Sequence, residues 1–355
     1  MFELSKSIPS ALDLSLGSPC GSPPEAVTAA ALDAIRHGGK YSLTNGGLDI
    51  REAVAAKLKG VNGINASTDD TVITAGVTGG LVLALASLLD PGDEVILLDP
   101  YFLLYPETIR LLGGRPVYVS TYPDWEIPIA TVEAAVNART KAIIVNTPNN
   151  PTGKVYSRSA LEQLADVAAR NDLVVIADEI YEQFVHAGEH VSIGSLYPQT
   201  VTLMGLSKSE AVGGWRIGYL HAPTAMVESI QKLQQILYVC APTPAQAALR
   251  ASLDLDRADL QQQYRQKNVL VRSFFPSCPG MEGAIYGFLP TPNRDADPFV
   301  RLLVERGVIA VAGRAFSKQN THLRIMYGVD DETLERALTI IRRAMDEARI
   351  LKGAM

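Results

Sequence analysis

The sequence predicts an α/β protein in two parts: a large part whose mostly parallel central sheet is flanked by helices, and a smaller α+β part. Through the middle of the chain, short β-rich runs alternate with amphipathic segments, the order of a layered α/β unit. Several of those runs are continuously apolar, as strands buried on both faces are. After Leu255 the alternation stops, and a long polar helical pattern leads into three further β-rich runs. A chain of 355 residues also exceeds one ordinary core. The expected division is 30–250 for the large part, with 1–29 joining 251–355 in the small one.

Taken in order, the strand candidates of the large part are Val72–Thr74, Glu94–Leu98, Pro116–Val119, Ala142–Val145, Leu173–Ala177, Val201–Met204 and Arg216–Leu220. Between them, Gly80–Leu89, Tyr105–Leu112, Ile129–Asn137 and Ser159–Arg170 carry helical periodicity. Ser157 or Ser159 is placed to cap the last of these, with Glu162 expected in its first turn. In the small part a helix is expected over Leu255–Phe275, strands at Ala284–Leu289, Gly307–Val311 and His322–Met326, and a terminal helix over Asp331–Lys352.

Composition narrows the function classes. Apolar residues make up 47% and charged residues 20%, as in ordinary globular proteins. A net charge of −6 argues against a general nucleic-acid binder. The apolar run Gly79–Leu89 is too short to span a bilayer, and the first residues lack a run of signal-peptide length. Three separated cysteines (Cys20, Cys240 and Cys278) fit reduced thiols better than a disulfide framework. The five histidines form no metal signature, and His186 and His190 are expected in a surface loop. A cytoplasmic, metal-independent protein is the expectation.

Chemistry concentrates at the strand ends. Gly76-Val77-Thr78-Gly79-Gly80 follows a strand and opens a helix, where free amides attract phosphate. It matches neither a Walker loop nor a dinucleotide fingerprint. Asn149-Asn150-Pro151-Thr152-Gly153 reads as a turn by composition, yet it would set the Asn150 amide at the sheet's C-terminal edge. Asp178 ends an apolar strand, so its carboxylate needs a cation or hydrogen-bond donors. Tyr181 follows three residues later. Lys208 lies just past the apolar run Val201–Leu206, where partial desolvation favours a neutral nucleophile. Arg216 suits bidentate contact with phosphate, and Arg324, in Leu323-Arg-Ile-Met, suits a carboxylate. Taken singly, each has a plain structural reading as a turn, a cap, a packed phenol or a surface ion pair.

In this order and spacing the motifs closely resemble the fold-type I pyridoxal-phosphate enzymes, specifically the class I/II aminotransferases related to aspartate aminotransferase, from about Leu14 to the C-terminus. The resemblance implies pyridoxal 5′-phosphate as cofactor and an imine between it and Lys208, which later shuttles the proton. It implies Asp178 on the pyridine nitrogen and Tyr181 with Asn150 on the ring oxygen. The phosphate would be held by the Val77 and Thr78 amides with Arg216. Phe102 matches the aromatic that stacks on the ring, and Arg324 the α-carboxylate clamp. Gly17 matches a mobile segment closing over substrate. Tyr41 matches a tyrosine reaching the neighbouring subunit's phosphate, which implies a homodimer with shared sites. Gly205 departs from the pattern, standing where many relatives carry a phosphate-binding serine.

The function so implied is transfer of an amino group from an L-amino acid to a 2-oxo acid through a pyridoxamine form. The shared residues equally permit a pyridoxal-phosphate lyase, synthase or oxidase, because they do not decide the fate of the carbanion. A third reading, a ligand-sensing module, leaves Lys208 without a role. The side chain of the substrate is not legible.

Overall fold

The computed structural model describes residues 11–19 and 21–353, so Cys20 lies outside the described residues. Twelve strands alternate with helices: β1 (Leu12–Asp13), β2 (Thr71–Thr74), β3 (Glu94–Asp99), β4 (Arg115–Ser120), β5 (Thr140–Asn146), β6 (Val174–Asp178), β7 (Thr200–Gly205), β8 (Gly218–His221), β9 (Tyr286–Pro290), β10 (Val308–Ile309), β11 (Val311–Ala312) and β12 (His322–Met326). Seven of them form the central sheet in the order β2-β8-β7-β6-β5-β3-β4. The ladders joining β7, β6, β5, β3 and β4 are parallel; β8 runs antiparallel to both of its neighbours.

The apolar runs bury both faces of this sheet, as their composition requires. On β5, Ala142 and Ile144 pack with Leu97, Ile176 and Leu203 on one side. Ile143 and Val145 pack on the other against Leu161, Leu164 and Val167 of the helix Arg158–Arg170. That helix starts at the expected cap, with the Ser157 hydroxyl accepting from the Ala160 N–H at 3.2 Å. Glu162 falls just beyond the first turn, so the acidic half of a capping box is missing.

A second core gathers Leu14, Tyr286, Leu289, Leu303, Val308, Leu323, Ile325, Leu338 and Ile341 around the sheet β11-β12-β9 and the pair β1-β10. The early segment belongs to this late core through the register Leu12↔Val308, parallel. The helices Ala258–Phe274 and Asp331–Gly353 pack on it. Among the described residues no helix is long and apolar enough to cross a membrane.

Several boundaries differ from the sequence reading. The helix expected from Gly80 starts at Gly76, which places Val77 and Thr78 in its first turn. Arg216 is not in a strand: it has φ 55°, and β8 begins at Gly218. The Gly307–Val311 run divides into β10 and β11 around Ala310. His186 and His190 are not surface groups. Only the loop tip Ala187–Glu189 is exposed, while His186 Nε2 lies 2.8 Å from the Ala284 carbonyl oxygen and His190 Nε2 lies 2.9 Å from Glu179 Oε2.

Candidate active site

The parallel strands end on a common edge, and ligands of open α/β sheets bind outside that edge. There, a cavity of about 460 Å³ is bounded by Lys208, Asp178, Tyr181, Asn150, Arg216 and Arg324, with Val77, Thr78, Phe102 and Gly17 also on its wall. The structure thus brings together all the site residues expected from sequence except one. Tyr41 is 82% exposed and does not line the cavity of its own chain.

Asp178 closes β6 and is buried. Its Oδ2 accepts from the Tyr105 hydroxyl at 2.6 Å, and its Oδ1 from the Ile180 N–H at 3.3 Å. Burial pushes the carboxyl up to about 6, although both donors and the nearby Lys208 amine favour its charged form. The neighbouring loop is fixed to the same strand. Asn146 Nδ2 donates to the Asp178 carbonyl at 2.8 Å, and Asn146 Oδ1 accepts from the Asn150 N–H at 2.7 Å.

Lys208 lies three residues past the end of β7, and its Nζ donates to the Gly17 carbonyl at 2.5 Å. The segment Ser15–Ser18 therefore runs directly over the amine. Opposite, the first turn of the helix Gly76–Ala86 presents its free amides, and Arg216 lies against it. Gly76 has φ +75°, and a Cβ there would stand 2.7 Å from Arg216 Nη2. Only glycine gives both the backbone turn and this approach of guanidinium to helix terminus. At Gly205 a Cβ would meet Gly218 Cα and the Ile217 carbonyl oxygen at 3.0 Å. The packing of β7 on β8 is thus tight at this position, and a side chain there would need the β8 backbone to give by a few tenths of an ångström.

Arg324 is in the central strand of its sheet and is buried, not on a solvent-facing edge. Its guanidinium carbon lies 4.5 Å from the Tyr286 ring centroid and 4.4 Å from that of Phe316. Its Nη1 donates to Asn150 Oδ1 at 3.1 Å and its Nη2 to the Ser15 carbonyl at 2.6 Å, whereas Nε has no partner. No carboxylate among the described residues pairs with it. A buried guanidinium lacking a counter-charge is costly, so the site is built to receive an anion. Tyr181 completes the wall, its hydroxyl 2.9 Å from that of Tyr286. Burial, with Tyr286 beside it, holds the Tyr181 phenol well above its ordinary value.

Sequence reasoning did not assign Tyr105, Asn146 or Phe316. Tyr105 was detectable in principle: it follows Phe102 by three residues at the start of the helix Leu104–Leu111, and the two ring centroids stand 5.5 Å apart. Asn146 and Phe316 carry no local signal, because their roles depend on which distant strand ends meet.

The sequence matches the family described as "Aminotransferase class I and II" over residues 9–341. It is 36% identical to a probable aspartate/prephenate aminotransferase of Thermus aquaticus, covering 94% of this chain and 91% of that protein. It is 34% identical to aromatic-amino-acid aminotransferase 2 of Thermococcus litoralis, covering 99% and 96%. The fold superposes on an aspartate aminotransferase from Thermus thermophilus with maleate at a TM-score of 0.92, with 34% identity and coverage of 97% and 94%. The chain belongs to the class I and II aminotransferase family. It is an enzyme that transfers amino groups, on the fold type I architecture.

Proposed function

We propose that the cavity holds pyridoxal 5′-phosphate and that the enzyme passes an amino group from an α-amino acid to a 2-oxo acid. The supporting observation is the convergence of one amine, one buried carboxylate and two guanidiniums, Arg216 and Arg324, on a single cavity. The residues fit the cofactor. The Gly76 cradle brings Arg216 to free helix amides, which suits a phosphate. Asp178, held in place by Tyr105, suits a protonated ring nitrogen. Bound pyridoxal phosphate supplies an aldehyde for the amino group and an electron sink for the α-carbon.

Each side chain then has a defined task. Val77 and Thr78 amides and Arg216 hold the phosphate, and Phe102 covers the ring. Asp178 keeps the ring nitrogen charged, while Tyr181 and Asn150 donate toward the ring oxygen. Arg324 takes the substrate carboxylate in the place where it now holds the Ser15 carbonyl. Lys208 removes the α-proton and returns it, and the Gly17 segment excludes water above it. The same reading places the domain boundaries at 30–250 and 1–29 with 251–355, supported by the pairing of β1 with β10. It makes the protein a cytoplasmic homodimer, in keeping with the free thiols of Cys240 and Cys278.

The test is a panel of amino acids added to the cofactor-loaded protein without acceptor, followed by absorbance. Stoichiometric 2-oxo acid, with the original spectrum restored by a second 2-oxo acid, is expected. Lys208→Ala should lower turnover by at least ~10³-fold. Pyruvate and ammonia as products, or near-native transamination by the Lys208→Ala protein, would overturn the reading.

A further inference from the structure

Two residues beyond Lys208 stands a carboxylate that amino-group transfer does not use. Glu210 is 3% exposed, within the turn that joins β7 to the Arg216 loop. A buried glutamate is expensive unless paired, and this one is. Its Oε1 accepts from Arg257 Nη2 at 2.5 Å and from the Ser252 hydroxyl at 2.8 Å. Arg257 Nη2 also donates to the Ser252 carbonyl at 2.7 Å, and Nη1 to the Leu255 carbonyl at 2.5 Å.

The partners lie at a joint. Ser252 ends the helix Thr243–Ser252, whose Ala245 and Leu249 pack with Ile50 and Val54 beside the large sheet. Arg257 precedes the helix Ala258–Phe274, whose Tyr264 and Val271 pack in the second core. One guanidinium thus ties the connection between the two cores to the lysine turn. The turn itself has few restraints of its own: Glu210 N–H bonds to the Leu206 carbonyl at 3.1 Å, Ala211 N–H to that of Lys208 at 3.5 Å, and Ala211 sits at φ 54°. A non-glycine residue in that conformation persists only when its surroundings hold it there.

The wall carrying Asp178 and Tyr181 is anchored in the same way. Glu179 accepts from His190 and from Ser192, and Glu182 pairs with Lys57. Glu179, Glu182, Lys57 and Arg257 border one small chamber of about 50 Å³ behind the lysine turn. A carboxylate thus follows each of Asp178, Tyr181 and Lys208 within two residues, and none of the three lines the cavity.

We propose that Glu210 is a positioning residue, held by Arg257 and Ser252 at the joint, which sets the direction from which the Lys208 amine enters the cavity. The inference rests on Lys208 being the reacting amine. It separates from a merely structural ion pair because removing both charged partners of a buried pair often leaves stability intact. In Glu210→Met/Arg257→Met, the melting temperature without cofactor should recover most of what Arg257→Met alone loses. The donor-only single-turnover rate should nevertheless stay about tenfold or more below native, with the donor concentration at half-saturation little changed, because small misplacements of a reacting group cost rate. Capture of pyridoxal phosphate by the cofactor-free protein, read by absorbance, should slow in parallel.

Single-turnover and capture rates within about twofold of native in the double variant would overturn the proposal, since misplacement is expected to cost far more. Should the double variant not fold, Glu210→Gln keeps the shape and the Ser252 contact, and the same rates decide. A fall supports positioning, and native values overturn it. Error in the underlying assignment shows separately, as turnover by the Lys208→Ala protein.

Discussion

Asp178 shows at the scale of one residue what the site costs the empty fold. Its carboxyl is buried and its pKa is raised to about 6, so the folded, cofactor-free chain holds that proton more tightly than the unfolded one. A raised folded value means that the group's contribution is fully present below the unfolded pKa of about 3.9 and is lost as pH rises through about 6. Above that, the charged carboxylate burdens the empty protein. Asp178→Asn keeps an acceptor for Tyr105 and removes the charge. Without cofactor, its stability relative to native should therefore rise by about 2 kcal/mol between pH 4 and pH 8, read by urea unfolding. A difference that stays flat across that range would remove the argument. The same substitution should weaken cofactor retention, since the ring nitrogen loses its counter-charge. Much of this site was legible in sequence, because Asp178, Lys208, Asn150 and Arg216 each stand beside a strand end that an apolar run announces. The donor Tyr105, the Ser15 carbonyl on Arg324 and the Glu210–Arg257 pair were not. Each is a contact between segments far apart in sequence, or a residue whose local setting looks ordinary.

At the scale of the element, strands were read more faithfully than helices. All seven strands of the central sheet were placed within a few residues; burial on both faces writes near-continuous apolar runs in β3, β5, β6 and β7, whereas the edge strand β4 is only partly buried. The helices Glu25–Arg36, Leu48–Gly60, Thr224–Tyr238 and Thr243–Ser252 were not assigned. Their preceding residues are Pro24, Gly47, Pro223 and Pro242, and none makes a side-chain cap. The side-chain capping signal is therefore missing from the sequence, although Pro244 does mark the first turn of the last of these helices. The helix Arg158–Arg170 is the contrast: of the two cap candidates, Ser157 and Ser159, it is the Ser157 hydroxyl that accepts from Ala160. Ser157→Ala should cost about 1 kcal/mol in urea unfolding, while Ser157→Asp should cost much less. Equal losses in both variants would mean that packing of Leu161 and Leu164, rather than the cap, sets where the helix begins.

The molecule as a whole leaves a group of large apolar side chains uncovered. Tyr41, Leu43 and Leu48 are 82%, 62% and 54% exposed, and Ile236, Leu237 and Val239 are 80%, 55% and 41% exposed. The two groups share one region. Gln246 bonds to the Ser42 hydroxyl at 2.9 Å and to the Gly47 N–H at 3.0 Å, and Gln234 donates to the Thr44 carbonyl. Those contacts hold the loop from Tyr41 to Gly47 against the ends of the helices Thr224–Tyr238 and Thr243–Ser252. Large exposed apolar side chains gathered in one region mark an interaction face, and a second copy of the chain is the occupant we propose. On the proposed reading, a twofold contact here is what would bring the exposed Tyr41 hydroxyl to a cofactor phosphate in the partner's cavity. Native protein should then sediment as a dimer at micromolar concentration, and Ile236→Asp should sediment as a monomer that loses cofactor on dilution. Tyr41→Phe should remain dimeric yet bind pyridoxal phosphate about tenfold more weakly, the loss of roughly one charge-assisted hydrogen bond. A native monomer would refute the shared site altogether, whereas a dimer whose Tyr41→Phe variant binds cofactor normally would keep the interface and confine the cofactor contacts to one chain.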